Sequence, residues 1–355
     1  MLKGAALGFM LLTINPPALA DDLADCNQAG DRDLRIRGCT RLIERGGTTN
    51  AVMAAFYDFR GLAYSDKSEF ERALADHSKA IELDPENAVP HYHRGFTYLR
   101  KAVTDPTVTG LLRKETLDLA ISDFDKALKL DPSLALAHYN RAGAYRYKGD
   151  LDRAIADYSE AIAINPKYLP AYFSRAGAYK EKRDLDGAIA DFTKILEFDP
   201  RAIQIYSHRG VAYEEKGDHE RAIADHSKLI EFLPRQPKGF VIRGNAYGRK
   251  GDGDLAIADY TKAIELGARS QDAFDAFYGR GLAYRNKSDF DLALADFIKC
   301  TEINPKDAFA LYNRGFTLEK KGEKDRAIAD YRGALQLNVN CKVCKEGLDR
   351  LGATP

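Results

Sequence analysis

Polar and apolar positions along this chain recur in blocks of 34 residues. Each block opens on Arg, a small residue, a variable position, usually Ala, and an aromatic: RGLAY, RGFTY, RAGAY twice, RGVAY, RGNAY, RGLAY and RGFTL. The Arg falls at Arg60, Arg94, Arg141, Arg175, Arg209, Arg243, Arg280 and Arg314, at successive spacings of 34, 47, 34, 34, 34, 37 and 34. An Ala follows 13 residues after each Arg, at Ala73, Ala154, Ala188, Ala222, Ala256, Ala293 and Ala327; the second block carries 13 extra residues before Ala120. Six blocks close on Pro, at Pro85, Pro132, Pro166, Pro200, Pro234 and Pro305. Gly149-Asp150, Gly217-Asp218 and Gly251-Asp252 divide the blocks with a left-handed helix stop and a helix-starting Asp. The pattern predicts helix pairs. The small residue after each Arg lets the second helix approach, the Ala column offers it a flat surface, and the aromatic fills the wedge between them. One such hairpin cannot bury its own apolar face, so the blocks must stack.

A 34-residue helix-turn-helix unit with small, aromatic, Ala and terminal Pro positions in this order resembles the tetratricopeptide repeat. The resemblance covers about residues 54–339, and the phrase Ala154-Ile155-Ala156-Asp157-Tyr158 is similar to the bacterial variety. It implies an all-α, right-handed superhelical solenoid of antiparallel helix pairs. The expected organisation is a signal peptide over 1–20, a degenerate N-terminal cap unit over 21–53, eight repeats over 54–339 and a capping helix within 340–355. An insertion at about 102–116 carries Asp105-Pro106 and Gly110 as breakers between the helices of the second repeat, and it is open to a contact role or to none.

Two columns depart from the family together. Arg stands in all eight units where the first helix often has Leu. Asp76, Asp123, Asp157, Asp191, Asp225, Asp259, Asp296 and Asp330 stand where the second helix often has an aromatic. The expectation is an Arg–Asp ladder, within or between units, that fixes stacking register more than it adds stability.

The first twenty residues have the layout of a secretory signal: Lys3, an apolar run over 5–14, a Pro16-Pro17 break, then Ala18-Leu19-Ala20 with cleavage after Ala20. Export to a periplasmic or extracellular compartment permits disulfides. Residues 35–44 align with the second-helix phrase of the repeats. Cys39 then takes the place of a buried aromatic and Cys26 that of a first-helix Tyr, so a Cys26–Cys39 bond is expected. Cys341 and Cys344 form Cys-x-x-Cys beside the last amphipathic segment, either as a cap disulfide or as a redox pair. Lys345 follows where haem attachment needs His. Cys300 falls in a small-residue core column, an inert buried thiol.

Lys plus Arg and Asp plus Glu balance at 53 each, which removes the basic footprint of a nucleic-acid binder. The repeat register accounts for most His: His77 and His226 in the second-helix aromatic column, His91 and His138 early in first helices. No phosphate loop, nucleophile elbow, metal-ligand cluster or cofactor motif occurs, so the expected role is non-catalytic, without metal or cofactor. The resemblance implies a concave groove lined by first helices, which binds a segment of a protein partner. Its residues here are Tyr92, Phe96, Tyr139, Phe173, Tyr278, Tyr312 and Phe316, with Arg100, Arg146, Arg249 and Arg285. Ser207, Glu214 and Glu215 form a polar stretch between two aromatic patches. The alternatives are a thiol-redox accessory role for Cys341 and Cys344, or an envelope carbohydrate-binding module.

Overall fold

The computed structural model describes residues 17–354, so Lys3 and the apolar run of the expected signal lie outside the described residues. Among the described residues there are nineteen α-helices and no strand, and the fold is an all-α repeat. The chain divides into two compact units, one ending at Arg183 and the other beginning at Asp184. The first holds α1 (Pro17–Asn27), α2 (Arg32–Arg45), α3 (Asn50–Asp66), α4 (Phe70–Leu83), α5 (Ala88–Thr104), α6 (Gly110–Leu130), α7 (Ala135–Tyr147), α8 (Leu151–Ile164) and α9 (Leu169–Glu181). The second holds α10 (Leu185–Phe198), α11 (Ile203–Glu215), α12 (His219–Phe232), α13 (Pro237–Lys250), α14 (Gly253–Glu265), α15 (Ser270–Asn286), α16 (Phe290–Ile303), α17 (Ala308–Lys320), α18 (Lys324–Leu337) and α19 (Lys342–Arg350).

The turns follow local chemistry. Gly149, Gly217 and Gly251 take φ of 81°, 82° and 94°, and the Asp150 and Asp218 carboxylates accept the backbone N–H of Arg153 and Arg221. Ser68, Arg183 and Ser288 hold the same left-handed turn at φ of 62–65°, which a side chain disfavours.

All eight residues of the Ala column are fully buried. The small residue after each Arg, however, packs against a ring and not against that column. A Cβ on Gly61, Gly95, Gly210, Gly244, Gly281 or Gly315 would come within 2.4–3.2 Å of the ring of His77, Phe124, His226, Tyr260, Phe297 or Tyr331. Each ring stands one residue after a ladder Asp, so the closest approach of the two helices is built around it. At the C-terminal end Gly347 of α19 receives the outer edge of Tyr331 in the same way, and α19 thereby caps the last pair.

The Arg and Asp columns meet within each helix pair. For Arg60–Asp76, Arg94–Asp123, Arg141–Asp157, Arg209–Asp225, Arg243–Asp259, Arg280–Asp296 and Arg314–Asp330, Nε and Nη2 donate to the two carboxylate oxygens at 2.6–2.9 Å. The eighth pair, Arg175 and Asp191, has one member in each unit. The third nitrogen reaches back one repeat. Nη1 of Arg60, Arg94, Arg175, Arg209, Arg243, Arg280 and Arg314 donates to Thr40, Ser78, Ser159, Thr193, Ser227, Thr261 and Thr301 at 2.7–3.1 Å. Arg141 finds Asp125 there instead, at 2.6 Å. Burial alone would lower the Arg141 pKa, but its two carboxylates raise it above the usual guanidinium value. Rings three residues before and four after the Arg flank the guanidinium at 5.4–6.0 Å for Arg60, Arg209, Arg243 and Arg280.

A second ladder runs over the exposed turns. Lys67, Lys101, Lys148, Lys182, Lys216, Lys250, Lys287 and Lys321 pair with Asp33, Glu71, Asp118, Asp152, Asp186, Glu220, Asp254 and Asp291 of the preceding second helix. Exposed pairs of this kind contribute little stability each.

The N-terminal cap is a whole hairpin, α1 with α2, its first helix short. Gly38 occupies the ladder Asp position and lies so close to Asp25 and Cys26 that no Cβ fits, and Arg41 and Arg45 pair with Asp22 instead. The insertion in the second repeat lengthens α5 and α6 and leaves only 105–109 outside helix. Leu111 and Leu112 enter α6 and are 70% and 50% exposed.

Asp259→Ala strands a guanidinium, so it is expected to cost about 2–4 kcal/mol, below the fully buried case because 21% of the Arg243 side chain is exposed. An Arg243→Leu/Asp259→Leu double variant, restoring an apolar pair, should lie within about 1–2 kcal/mol of the parent. Urea unfolding followed by circular dichroism measures both, and an undiminished Asp259→Ala protein would remove the ladder's structural role.

Candidate partner-binding surface

The aromatic positions singled out in the sequence lie on first helices, in two groups that each belong to one compact unit. In the first unit α5 carries Tyr92, Phe96 and Arg100, α7 carries Tyr139 and Arg146, and α9 carries Phe173. The Tyr92 and Phe96 rings stack at 6.3 Å and Arg100 lies 5.9 Å from the Phe96 centroid. Asn140 on α7 donates to the Tyr92 hydroxyl at 3.1 Å, and a hydrogen bond joins the Tyr139 and Ser174 hydroxyls at 3.2 Å. Desolvation pushes the Tyr92 phenol up to about 12. Phe173 is 43% exposed. A cavity of about 470 Å3 opens beside Tyr139, Gly143, Arg146, Tyr158 and Ser174.

The second unit repeats the design. Tyr278 and Arg285 on α15 face Tyr312 and Phe316 on α17. Asn313 donates to the Tyr278 hydroxyl at 2.9 Å, as Asn140 does to Tyr92, and Arg285 donates to the Asn313 carbonyl oxygen. Arg285 and Lys320 each lie 5.3 Å from the Phe316 centroid. Tyr312 packs against Phe316 and Tyr331 at 6.3 and 5.9 Å.

The four arginines of this face all bridge neighbouring first helices. Arg100 donates to Asp66 at 2.9 Å, Arg146 to Glu181 at 2.8 Å, Arg285 to Asn313, and Arg249 pairs with Glu214. Arg249 thus stands apart from the Tyr278 group. Glu214 is a correction to the sequence reading. Its side chain is only 9% exposed and serves the interior: the His226 Nε2 donates to it at 2.9 Å. Phe309 and Tyr147, 65% and 60% exposed, were not anticipated; both fall outside the columns that pack the repeats.

The cysteines form two bonded pairs, Cys26–Cys39 at 1.98 Å and Cys341–Cys344 at 1.94 Å. Cys341 precedes α19 and is half-buried, while Cys344 is fully buried against Leu318, Tyr331 and Leu335. The unpaired Cys300 thiol is buried, and desolvation pushes its pKa up to about 12, far from a reactive thiolate. Among the described residues no group of three or more His, Cys, Asp or Glu is placed to hold a metal. No described helix is long and apolar enough to cross a membrane.

With this geometry in view, the comparisons with known proteins are direct. Models described as tetratricopeptide repeat match residues 135–168, 171–237, 238–266, 274–307 and 297–329, and one described as TPR repeat matches 61–101. The chain belongs to the tetratricopeptide repeat family. No curated protein matches it. Among solved tetratricopeptide structures, the C-terminal part of a repeat-containing protein from Cytophaga hutchinsonii is 17% identical, with a TM-score of 0.52, covering 83% of this chain and 99% of its own. A tetratricopeptide repeat protein from Parabacteroides merdae is 21% identical over 73% of this chain and 99% of its own, at a TM-score of 0.48. MamA is 27% identical over 46% of this chain and 94% of its own, at 0.43.

Two buried histidines distinguish this tetratricopeptide chain chemically. His77 and His93 donate from Nδ1 to the buried Asp58 at 2.8 and 2.7 Å. Burial alone would raise the Asp58 pKa, but the two imidazoles hold its carboxyl well below the usual carboxylate range. In the second unit, burial lowers the His226 pKa to about 4. The ring is therefore neutral near pH 7, donating from Nε2 to Glu214, and its buried Nδ1 has no partner that could accept a second proton. An unfolded His takes a proton near pH 6.5, so between pH 6.5 and 4 the unfolded chain binds more protons and stability falls with falling pH. The expected loss is roughly 2–3 kcal/mol over that window. His226→Phe, which places there the residue found at Phe124, Phe192 and Phe297, should flatten the acid dependence of urea unfolding; an unchanged slope would refute the assignment.

Proposed function

We propose that the chain is a non-catalytic interaction scaffold that holds an extended segment or helix of a protein partner along its first-helix face. The supporting observation is the pair of half-exposed aromatic groups, Tyr92–Phe96–Tyr139 and Tyr278–Tyr312–Phe316, each with cationic side chains lying over a phenyl ring. Aromatic anchors beside Arg are what hot spots in protein interfaces require. Their hydroxyls are engaged by Asn140, Ser174 and Asn313, so the rings are held in place before a partner arrives, which lowers the entropic cost of binding.

Phe96 and Phe316 are the rings to test, because they anchor through their faces alone. Phe96→Ala/Phe316→Ala is expected to fold normally and to lose at least about tenfold in partner capture from an envelope fraction, in line with losing a hot spot on each patch. Capture at full strength would overturn the reading. A Cys341→Ser/Cys344→Ser variant should capture as the parent does; lost activity with intact capture would favour the thiol-redox alternative.

The same reading places the protein outside the cytoplasm, with the signal removed after Ala20. Support comes from the order of charge, apolar run and small residues at the N-terminus and from the two cysteine pairs. Cleavage there would leave α1 beginning at Asp21 and would keep Asp22 and Cys26, which tie α1 to α2. N-terminal sequencing of the protein from its native envelope is expected to start at Asp21. A chain beginning at Met1 would refute export by this route.

A further inference from the structure

Glycine inside a helix weakens it, and most first-helix glycines of this chain have a packing reason to be there. Gly279 has one: a Cβ on it would lie 2.4 Å from the Tyr260 ring. Gly248, on the last turn of α13, has none. A Cβ there would meet only the Tyr260 hydroxyl at 3.9 Å, an ordinary contact, and the backbone is not left-handed. The position five residues after the ladder Arg elsewhere carries Ser65, Leu99, Arg146, Lys180, Glu214, Arg285 or Glu319. It faces the residue just before the next ladder Arg, as Arg285 faces Asn313. Between α13 and α15 both members of that facing pair are glycine, Gly248 and Gly279. The junction that is bridged by side chains one repeat later is here left open.

The opening is a cavity of about 770 Å3 bounded by α13, α14 and α15. Tyr260 and Tyr278 contribute aromatic walls, and Asn245 and Asn286 contribute amides. The charges around it do not cancel equally. Lys287 and Asp254 pair with each other, and Arg249 is held by Glu214 outside the cavity. Asp275 accepts only from Gln271 of its own helix, at 2.7 Å, and no cation among the described residues pairs with it. One carboxylate therefore remains uncompensated beside two phenol rings. A guanidinium suits such a site: it can lie on an aromatic face while donating to the carboxylate and to an amide oxygen.

We infer that the Gly248–Gly279 cavity is a side-chain pocket for an arginine of the bound protein segment. The inference rests on the proposed scaffold reading and gives it a sequence preference: a basic residue where the segment crosses α13 and α15. The void is the selective element, because any side chain at 248 would fill it.

The test uses the full mature chain and three blocked pentapeptides, Ac-Gly-Gly-Xaa-Gly-Gly-NH2 with Xaa as Arg, Leu or Glu. Saturation-transfer and chemical-shift titrations by NMR should show saturable binding of the Arg peptide, at least tenfold tighter than the Leu and Glu peptides. Gly248→Leu, which removes a helix-weakening glycine and fills the cavity, should abolish that preference, and Asp275→Asn should weaken Arg binding at least tenfold without changing the fold. An Arg peptide no tighter than the others would overturn the pocket, as would Arg binding unchanged by Gly248→Leu. Tighter binding of the Glu peptide would mean that Arg249 and Lys287, not Asp275, set the preference, and would equally overturn it. Partner capture that depends on Phe96 and Phe316 while the Arg peptide fails would sink only this inference. Arg-peptide binding together with undiminished capture by the Phe96→Ala/Phe316→Ala variant would sink the scaffold reading and leave the pocket.

Discussion

A guanidinium has five N–H groups in one plane and two faces, and the ladder arginine uses nearly all of them. Two nitrogens grip the Asp of the same helix pair. The third reaches a hydroxyl or carboxylate on the preceding second helix. The faces are covered by rings on either side along its own helix. One residue per repeat therefore relates three helices at once: the pair it belongs to and the pair before it. Partly buried ion pairs of this sort add little net stability against well-packed apolar residues, because desolvation offsets the attraction. What they add is geometric, since a guanidinium fork tolerates much less sliding than Leu against Phe would. The burial that drives folding comes from the Ala column and the rings seated on glycine, while the ladder fixes how those surfaces register. The positions of Tyr92, Tyr139, Tyr278 and Tyr312 on neighbouring first helices follow from that register.

Much of this architecture is legible in the sequence because it repeats. An Arg followed 16 residues later by an Asp, in seven of eight units, leaves few geometries open, and the 34-residue period carries the helix pairs themselves. Relations between repeats are harder to read. The Ser and Thr that receive Nη1 stand two residues after the preceding Asp in most units, an unremarkable position until two pairs are stacked. Glu214 reads as surface because its partners, His226 and Arg249, come 12 and 35 residues later. Asn140 and Asn313 likewise show no sign of orienting tyrosines 48 and 35 residues upstream. The second-repeat insertion reads as a loop from Asp105-Pro106 and Gly110. Only 105–109 leaves the helices, since the residues on either side continue the helices they flank.

Departures from the repeat pattern come in compensating pairs, and this separates structural exceptions from functional ones. Imidazole replaces the aromatic ring of the second helix twice, at His77 and His226, and both rings are fully buried. A buried N–H requires an acceptor. Each imidazole is matched by a carboxylate on its own first helix: Asp58 where other units have mostly aromatics, and Glu214 five residues after the ladder Arg. Gly38 standing for Asp is matched in the same manner, by the Cys26–Cys39 bond and the Asp22 ion pairs that hold α1 to α2. In all three cases the second change repairs the first. Gly248 and Gly279 also change together across a junction, but the second deletion enlarges the vacancy left by the first. Tyr260 accounts for Gly279 alone. A repeat that elsewhere restores every lost contact has kept this one open, and the uncompensated Asp275 lies at its wall.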